Sequence, residues 1–397
     1  MKRINTALVF LLCFPSLTTT AFAAVRRDVT TCTSPGADPT GITDSASAIQ
    51  ACLDGTGSEA AAIYFPPGTY KIGSTLTVGA NYTTLYSDSW ATARLQFAGC
   101  GDLVRYQKAG GGISFNGGIR GLWLSGDGHC SQTAVHLVDT SWMVIEDSPI
   151  YPFNDSLEGS VGIKTEGREG FNLRNVQIQA NMPMVLGQNP NNPYLDVDHF
   201  HFENVYSIVK GTVSQHWHIT LENGVVVTSM TVDGQNPFVG GCGVLKWITT
   251  TPAPPSVSSH LRLANIRHEQ MSSGCDKQID IEQNSSRPLY QLIIDNVRLE
   301  GPYPTSANAI YTNYVNGISV RDTSYPNNAA PNPNNANFIN ANNALWIELN
   351  NNYVTPYGGK VKTSPIGAWK AGPYRGKDCC DPPGTRTLDS GVWGAVP

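Results

Sequence analysis

Glu222 and Glu282 lie 60 residues apart, and Asp280 stands two residues before the second of them. A carboxyl group that keeps its proton can protonate a leaving group, and a carboxylate held opposite can take a proton from water. Asp280 gives Glu282 a like-charged neighbour, which raises one carboxyl pKa and keeps that group protonated. Lys246 falls between Glu222 and the Asp280/Glu282 pair and can hold one carboxylate ionised. Acid–base work by these residues requires a scaffold that brings distant segments onto one surface.

That scaffold is visible as a repeat. A pattern of apolar, any, apolar, any, then Asn, Asp or Gly ends at Asp147, Asn175, Asn204, Gly234, Asn265, Asn296 and Asp322, with steps of 28, 29, 30, 31, 31 and 26 residues. Leu349 to Asn351 offers one more turn. Period-two alternation at such a step means short strands stacked turn on turn, whereas helical repeats would space apolar residues by three and four. Blades of a β-propeller need roughly 40 residues, more than the step provides. Asn or Gly after each strand suits the left-handed backbone of a sharp corner. A second strand group recurs at Val135–Leu137, Gly162–Thr165, Met184–Leu186, Ile219–Leu221, Leu245–Trp247, Ile279–Ile281 and Ile310–Thr312. The prediction is an all-β chain: a cap and first coil over 24–80, one parallel β-helix (β-solenoid) over 81–354, and a Gly/Pro-rich tail over 355–397.

Alternation then assigns faces. With Ile163, Met184, Ile219, Leu245, Ile279 and Ile310 inward, Lys164, Val185, Thr220, Lys246, Asp280 and Tyr311 point outward, followed two positions on by Glu166, Gly187, Glu222, Ile248, Glu282 and Asn313. Glu222 and Glu282 stand two turns apart in this column, roughly 9–10 Å along the axis. The expected catalytic residues are Glu222, Asp280 and Glu282, with His218, Lys246 and Tyr311 expected to contact substrate. A second column, Glu146, Arg174, Glu203, Asp233, Ala264, Asp295 and Arg321, places Glu203 and Asp233 about 5 Å apart. With Arg174 and Arg262 on either side, it reads as a surface charge ladder. A weaker signal lies in Asp196, Asp198, His199, His201, His216 and His218, which could hold a cation or supply a base. Residues 188–194 and 249–258 are expected to wall the groove, with Trp217 or Tyr194 as stacking platforms. Residues 327–343, rich in Asn, read as an irregular loop.

Lys+Arg 26 against Asp+Glu 31 gives a net charge of −5, which argues against a nucleic-acid surface. Only 14% of residues are charged, while Gly 39 and Pro 26 mark a chain rich in turns and strands. Lys2 and Arg3, the apolar run from Ala7 to Leu12, and Ala21-Phe22-Ala23 read as an export signal over residues 1–23. No later stretch has transmembrane length, so the expected product is secreted or periplasmic, free of the membrane after cleavage, and monomeric. Eight of the nine cysteines lie beyond that signal, an even number suited to disulfides. Cys100 and Cys130 are 30 residues apart and Cys242 and Cys275 are 33 apart, so each pair should bridge neighbouring turns. The partners of Cys32, Cys52, Cys379 and Cys380 stay open. None of the spacings is that of a zinc site, and no metal is expected.

Near the N-terminus stand Ser34-Pro35-Gly36-Ala37-Asp38-Pro39-Thr40-Gly41-Ile42-Thr43-Asp44, then Ala48-Ile49-Gln50-Ala51-Cys52, then Ile63-Tyr64-Phe65-Pro66-Pro67-Gly68-Thr69-Tyr70. This segment resembles the opening of the pectate-lyase-like β-helix superfamily, which includes polygalacturonases and tailspike depolymerases. The resemblance implies a right-handed, single-stranded parallel β-helix and a capping helix from Asp44 to Leu53, with Thr43 or Asp44 as its N-cap. It also implies a substrate groove on the strand group that carries Glu222, Asp280 and Glu282. The implied function is an exported polysaccharide-degrading enzyme, a glycoside hydrolase whose carboxylate separation lies near the upper end of the inverting range. Such a hydrolase needs no cofactor. A polysaccharide lyase of the same fold, assisted by calcium, and a noncatalytic glycan-binding or adhesion rod are the alternatives. The polygalacturonase motifs Asn-Thr-Asp, Asp-Asp, Gly-His-Gly and Arg-Ile-Lys are absent from the sequence, so the resemblance does not extend to galacturonan hydrolysis.

Overall fold

The computed structural model describes residues 25–354 except 58–59, 154, 168, 188–196, 211–215, 251–257, 273, 301–307 and 326–336, together with the backbone of Lys360–Trp369 and Arg386–Leu388. The expected export signal, most of the tail with Cys379 and Cys380, Asp196, and the greater part of both groove walls with Tyr194 lie outside the described residues.

Alternating apolar residues stack in three parallel ladders, and the chain visits the three in turn. The first ladder runs from Val25–Asp28 and Ala61–Tyr64 through Thr84–Tyr86, Gly118–Arg120 and Met143–Glu146 to Leu289–Asp295 and Val315–Arg321. The second starts at Thr40–Asp44, Gly68–Ile72 and Ala93–Phe97 and continues through Leu122–Gly126 and Pro149–Phe153. In three turns, Glu169–Ala180, Asp198–Val209 and Ser229–Val239, one long strand serves the first ladder and then bends into the second. The third ladder contains Gly101–Tyr106, Gln132–Val138, Val161–Glu166, Met182–Gly187, Ile219–Leu221, Leu245–Ile248, Lys277–Glu282 and Asn308–Asn313. The result is an all-β parallel solenoid.

The interior of the third ladder shows why the stack holds. Val135, Ile163, Met184, Ile219, Leu245, Ile279, Ile310 and Ile339 lie in strict register and are fully buried. Each such side chain contributes about 1.5–3 kcal/mol through burial. A one-residue slip would turn the whole column to solvent, so the register is firmly specified.

Corners between the first and second ladders carry left-handed residues: Asp147, Asn175, Asn204, Asn265, Asn296, Asp322 and Asn351, with φ between 47° and 53°. Their side chains form a ladder of their own: Asn204 donates to Asn175 at 2.7 Å, Asn296 to Asn265 at 2.7 Å and Asn351 to Asp322 at 2.6 Å. Gly234, expected at the corresponding corner, does not take this role. The turn holds an extra residue, the register shifts between Val205 and Ser207, and the left-handed position moves to Gln235 while the Asn236 amide reaches Asn204.

The helix spans Ala46–Asp54, and Ala46, Ile49, Cys52 and Leu53 form its buried face. It starts later than Asp44 because that residue still belongs to the strand Thr40–Asp44. There the Asp44 carboxylate accepts the N–H groups of Ala46 at 3.0 Å and Gly73 at 2.9 Å. Gln50 binds both the N–H and the C=O of Thr77 on the third ladder, and Cys52 pairs with Cys32. Cys100–Cys130 and Cys242–Cys275 form as their spacing required. The expected Asn-rich loop is corrected in part: residues 337–343 belong to the strand Asn337–Asn350, where Ile339 and Ala341 alternate inward. An isoleucine and an alanine among amides are all that carries that alternation there.

Candidate functional site on the third ladder

The outward face of the third ladder holds two charged clusters. His136, Lys164, Val185, Thr220, Lys246, Asp280 and Tyr311 align turn by turn, as alternation required. Ile248, Glu282 and Asn313 form the next outward column.

The C-terminal cluster is built around Lys277. Its Nζ donates to Asp280 Oδ2 at 3.0 Å and to Glu282 Oε1 at 2.8 Å, and it sits 4.1 Å from the centre of the Tyr311 ring. Position explains the chelate: Lys277 opens the strand, so its long side chain reaches forward past Asp280 to Glu282. Although Asp280 belongs to the outward column, it is only 4% exposed. Burial raises its pKa; Lys277 opposes the rise and the nearby Glu282 adds to it, leaving the group at about 6. Lys277 is driven the other way. Burial disfavours its charge, yet Glu282 and Asp280 together raise its pKa and keep it protonated.

The N-terminal cluster centres on His136, 6% exposed, whose Nδ1 lies 2.8 Å from Asp102 and whose Nε2 lies 3.2 Å from Glu166. Burial works against its charge, but the two carboxylates prevail and raise its pKa. Glu166, bound by His136 and at 2.7 Å by Lys164, is lowered to about 2.

Glu222 is exposed and leans backward: a Cβ placed on Gly187 would meet its Oε2 at 2.2 Å. Gly187 pairs with Glu166 on the preceding turn. The glycine leaves room for the carboxylate to cross toward the N-terminal cluster, so Glu222 and Glu282 do not face each other across Lys246. His218 is a second correction. Its ring is fully buried, stacked 4.9 Å from Phe238 and 5.4 Å edge-on to His268, and both imidazoles donate through Nε2 to Gly240 O. Burial, and secondarily His268, push the His218 pKa well down. An inward, neutral ring cannot reach substrate. Trp217, expected as a platform, is 7% exposed and belongs to the core.

Asp198 contacts His199 at 3.1 Å and His216 contacts Glu158 at 3.2 Å, so the histidines do not converge on one point. His129 lies 3.4 and 3.3 Å from the sulfurs of Cys100 and Cys130, which are bonded to each other and so offer no thiolate. Asp102, His136, Glu166 and Lys277 were missed as site residues. His136 and Glu166 share the outward columns of a recognised strand group, which was the available signal. Burial and pairing, which single them out, are not sequence properties.

Residues 29–183 match the family described as rhamnogalacturonase A/epimerase, pectate lyase-like. Comparison with curated protein sequences finds no match. Among solved structures, the catalytic unit of a GH87 alpha-1,3-glucanase from Streptomyces thermodiastaticus strain HF3-3 aligns with TM-score 0.51 and 15% identity, over 91% of this chain and 71% of that one. A DFA-IIIase from Arthrobacter chlorophenolicus A6, solved without its lid in complex with GF2, aligns with TM-score 0.53 and 10% identity over 84% and 99%. The Streptococcus pneumoniae surface adhesin PfbA aligns with TM-score 0.51 and 12% identity over 94% and 100%. The chain spans 62% of the length of the Geobacillus virus E2 ORF18 protein. At these identities the likeness is one of fold, and enzymes and an adhesin share it. The chain has the right-handed parallel β-helix fold of the pectate-lyase-like superfamily.

Proposed function

We propose that the protein is an exported polysaccharide-processing enzyme, and within that class a glycoside hydrolase with Asp280 as proton donor and Glu282 as the second carboxylate. The observation that carries this reading is the Lys277-clamped pair on the outward face, in which burial holds Asp280 at about 6. A carboxyl group with that pKa can protonate a glycosidic oxygen near neutral pH, while an ionised partner stabilises the positive charge that develops on the sugar or activates water. Both carboxylates bind one Nζ, at 3.0 and 2.8 Å, so the bound oxygens lie within about 6 Å of each other. This pair, closer than the roughly 6.5–9.5 Å that leaves room for a water in inverting enzymes, is the one proposed. It replaces the two-turn pair expected from sequence. Tyr311 and Lys246, which share the outward column of Asp280 on the adjoining turns, would contact the bound chain in this reading.

Elimination is less well supported. A lyase needs a neutral base at the sugar C5 proton, whereas the carboxylates beside Lys277 and His136 raise the pKa of both and favour their charged forms. Export agrees with three disulfides. The test is a panel of neutral and acidic polysaccharides with purified protein. New reducing ends without unsaturated, ultraviolet-absorbing product support hydrolysis, provided Asp280→Asn abolishes them. Unsaturated product would make the protein a lyase, and binding without turnover would make it a noncatalytic rod.

A further inference from the structure

The corner that leads from the third ladder back to the first carries a row of left-handed residues on successive turns: Tyr82 (φ 58°), Asn116 (51°), Trp142 (59°), Gly170 (74°) and His199 (54°). Backbone hydrogen bonds tie most of the row together, from Tyr82 N to Phe115 O at 2.7 Å, Asn116 N to Ser141 O at 2.9 Å and Trp142 N to Glu169 O at 3.0 Å. Glycine or asparagine suits such a backbone; a bulky ring there is a strained choice, and strain of this kind clusters at ligand sites. Trp142 is nonetheless 44% exposed and Tyr82 is 53% exposed. The Trp142 indole lies over Gly170, where a Cβ would come within 2.7 Å of two ring atoms, and it meets the His199 ring at 5.7 Å with 35° between planes. Gly170 thus lets the indole rest on the backbone while the ring stays open to solvent. His199 is exposed and held by Asp198 at 3.1 Å.

We propose that Tyr82, Trp142 and His199 form a stacking rail for an extended neutral glycan running parallel to the solenoid axis, beside the outward face of the third ladder. Tyr82 and Trp142 stand two turns apart, about 9.6 Å at the usual strand spacing and of the same order as two sugar units in an extended chain, while the His199 ring closes up to 5.7 Å from the indole and widens that platform. Sugar rings stack through their C–H faces on aromatic platforms, and the paired imidazole offers a polar group to a hydroxyl. Charge selects the class: exposed Glu169 and half-buried Asp198 flank the rail, and the chain carries a net charge of −5. A polyuronate would meet repulsion there, and a neutral polysaccharide would not. The rail rests on the glycan-processing reading but not on Asp280.

Affinity electrophoresis in gels containing laminarin, dextran or pullulan, and in parallel polygalacturonate or alginate, tests the rail. The expected result is retardation by at least one neutral polysaccharide, weakened at least tenfold in apparent affinity by Trp142→Asn, largely restored by Trp142→Phe and untouched by Arg321→Gln on the exposed first ladder. Asparagine tolerates the left-handed backbone, so Trp142→Asn should keep the native melting temperature. Retardation by no gel, retardation indifferent to Trp142→Asn, or retardation confined to the polyuronates would overturn the proposal. Binding that needs Trp142 without turnover of any glycan would sink the hydrolase reading and leave the rail standing. Turnover indifferent to Trp142, with unchanged retardation, would do the reverse.

Discussion

Two faces of the solenoid carry similar charged residues in very different surroundings. On the first ladder, Glu146, Arg174, Glu203, Asp233, Ala264, Asp295 and Arg321 align turn by turn. Arg174 pairs with Glu146, Arg262 with Asp295 at 2.9 Å and Arg321 with Glu348 at 3.5 Å, through arginines whose side chains are 54%, 38% and 46% exposed. On the third ladder, Lys277 and Asp280 are 18% and 5% exposed, and the same kinds of charge are held together largely out of water. Alternating charge in solvent relieves repulsion between stacked turns and does little else. Covered from water, the same groups acquire shifted pKa values, and with them a capacity for proton transfer.

The largest expected effect falls on the buried face. Asp280→Asn or Glu282→Gln should cut turnover on a cleaved glycan by at least about a hundredfold with the fold retained by circular dichroism; near-normal rates would remove the functional contrast between the faces. Turnover should also fall as pH rises through about 6, because the proton donor is then lost. Lys277→Met should move that alkaline limb upward, since Lys277 lowers the Asp280 pKa; a limb that stayed in place would assign the titration to another group.

Stability effects come next. Ile279→Ala, beneath this cluster, should cost about 2–5 kcal/mol in denaturant unfolding. Buried His218 and His268 both have lowered pKa values, dominated by burial. The unfolded chain therefore binds protons that the folded chain refuses. Their contribution is complete above about pH 6.5, the unperturbed value, and declines as pH falls below it. His268→Gln should flatten the drop in Tm between pH 7 and 5, and an unchanged slope would place the loss elsewhere. Smallest of all, Glu203→Gln on the exposed ladder should leave turnover intact and change stability by less than about 1 kcal/mol. A large loss of activity there would move the site to the first ladder.

Fold and site were legible to different depths. Period-two alternation and the corner Asn and Asp residues specified the ladders, the inward column from Ile163 to Ile310 and two disulfides, because a stacked turn repeats one local pattern at a fixed step. Local irregularity escaped that logic: one extra residue near Gln235 moved a corner, and amides masked a strand at Asn337–Asn350. Alternation placed Asp280 and Tyr311 on the outward face but could not show that Lys277 would cover Asp280, that Glu222 would cross Gly187, or that His218 would turn inward against Phe238. Residue order determines which side of a strand a side chain leaves. Depth, partner and proton affinity depend on what neighbouring turns bring against it, and only the assembled solenoid decides that.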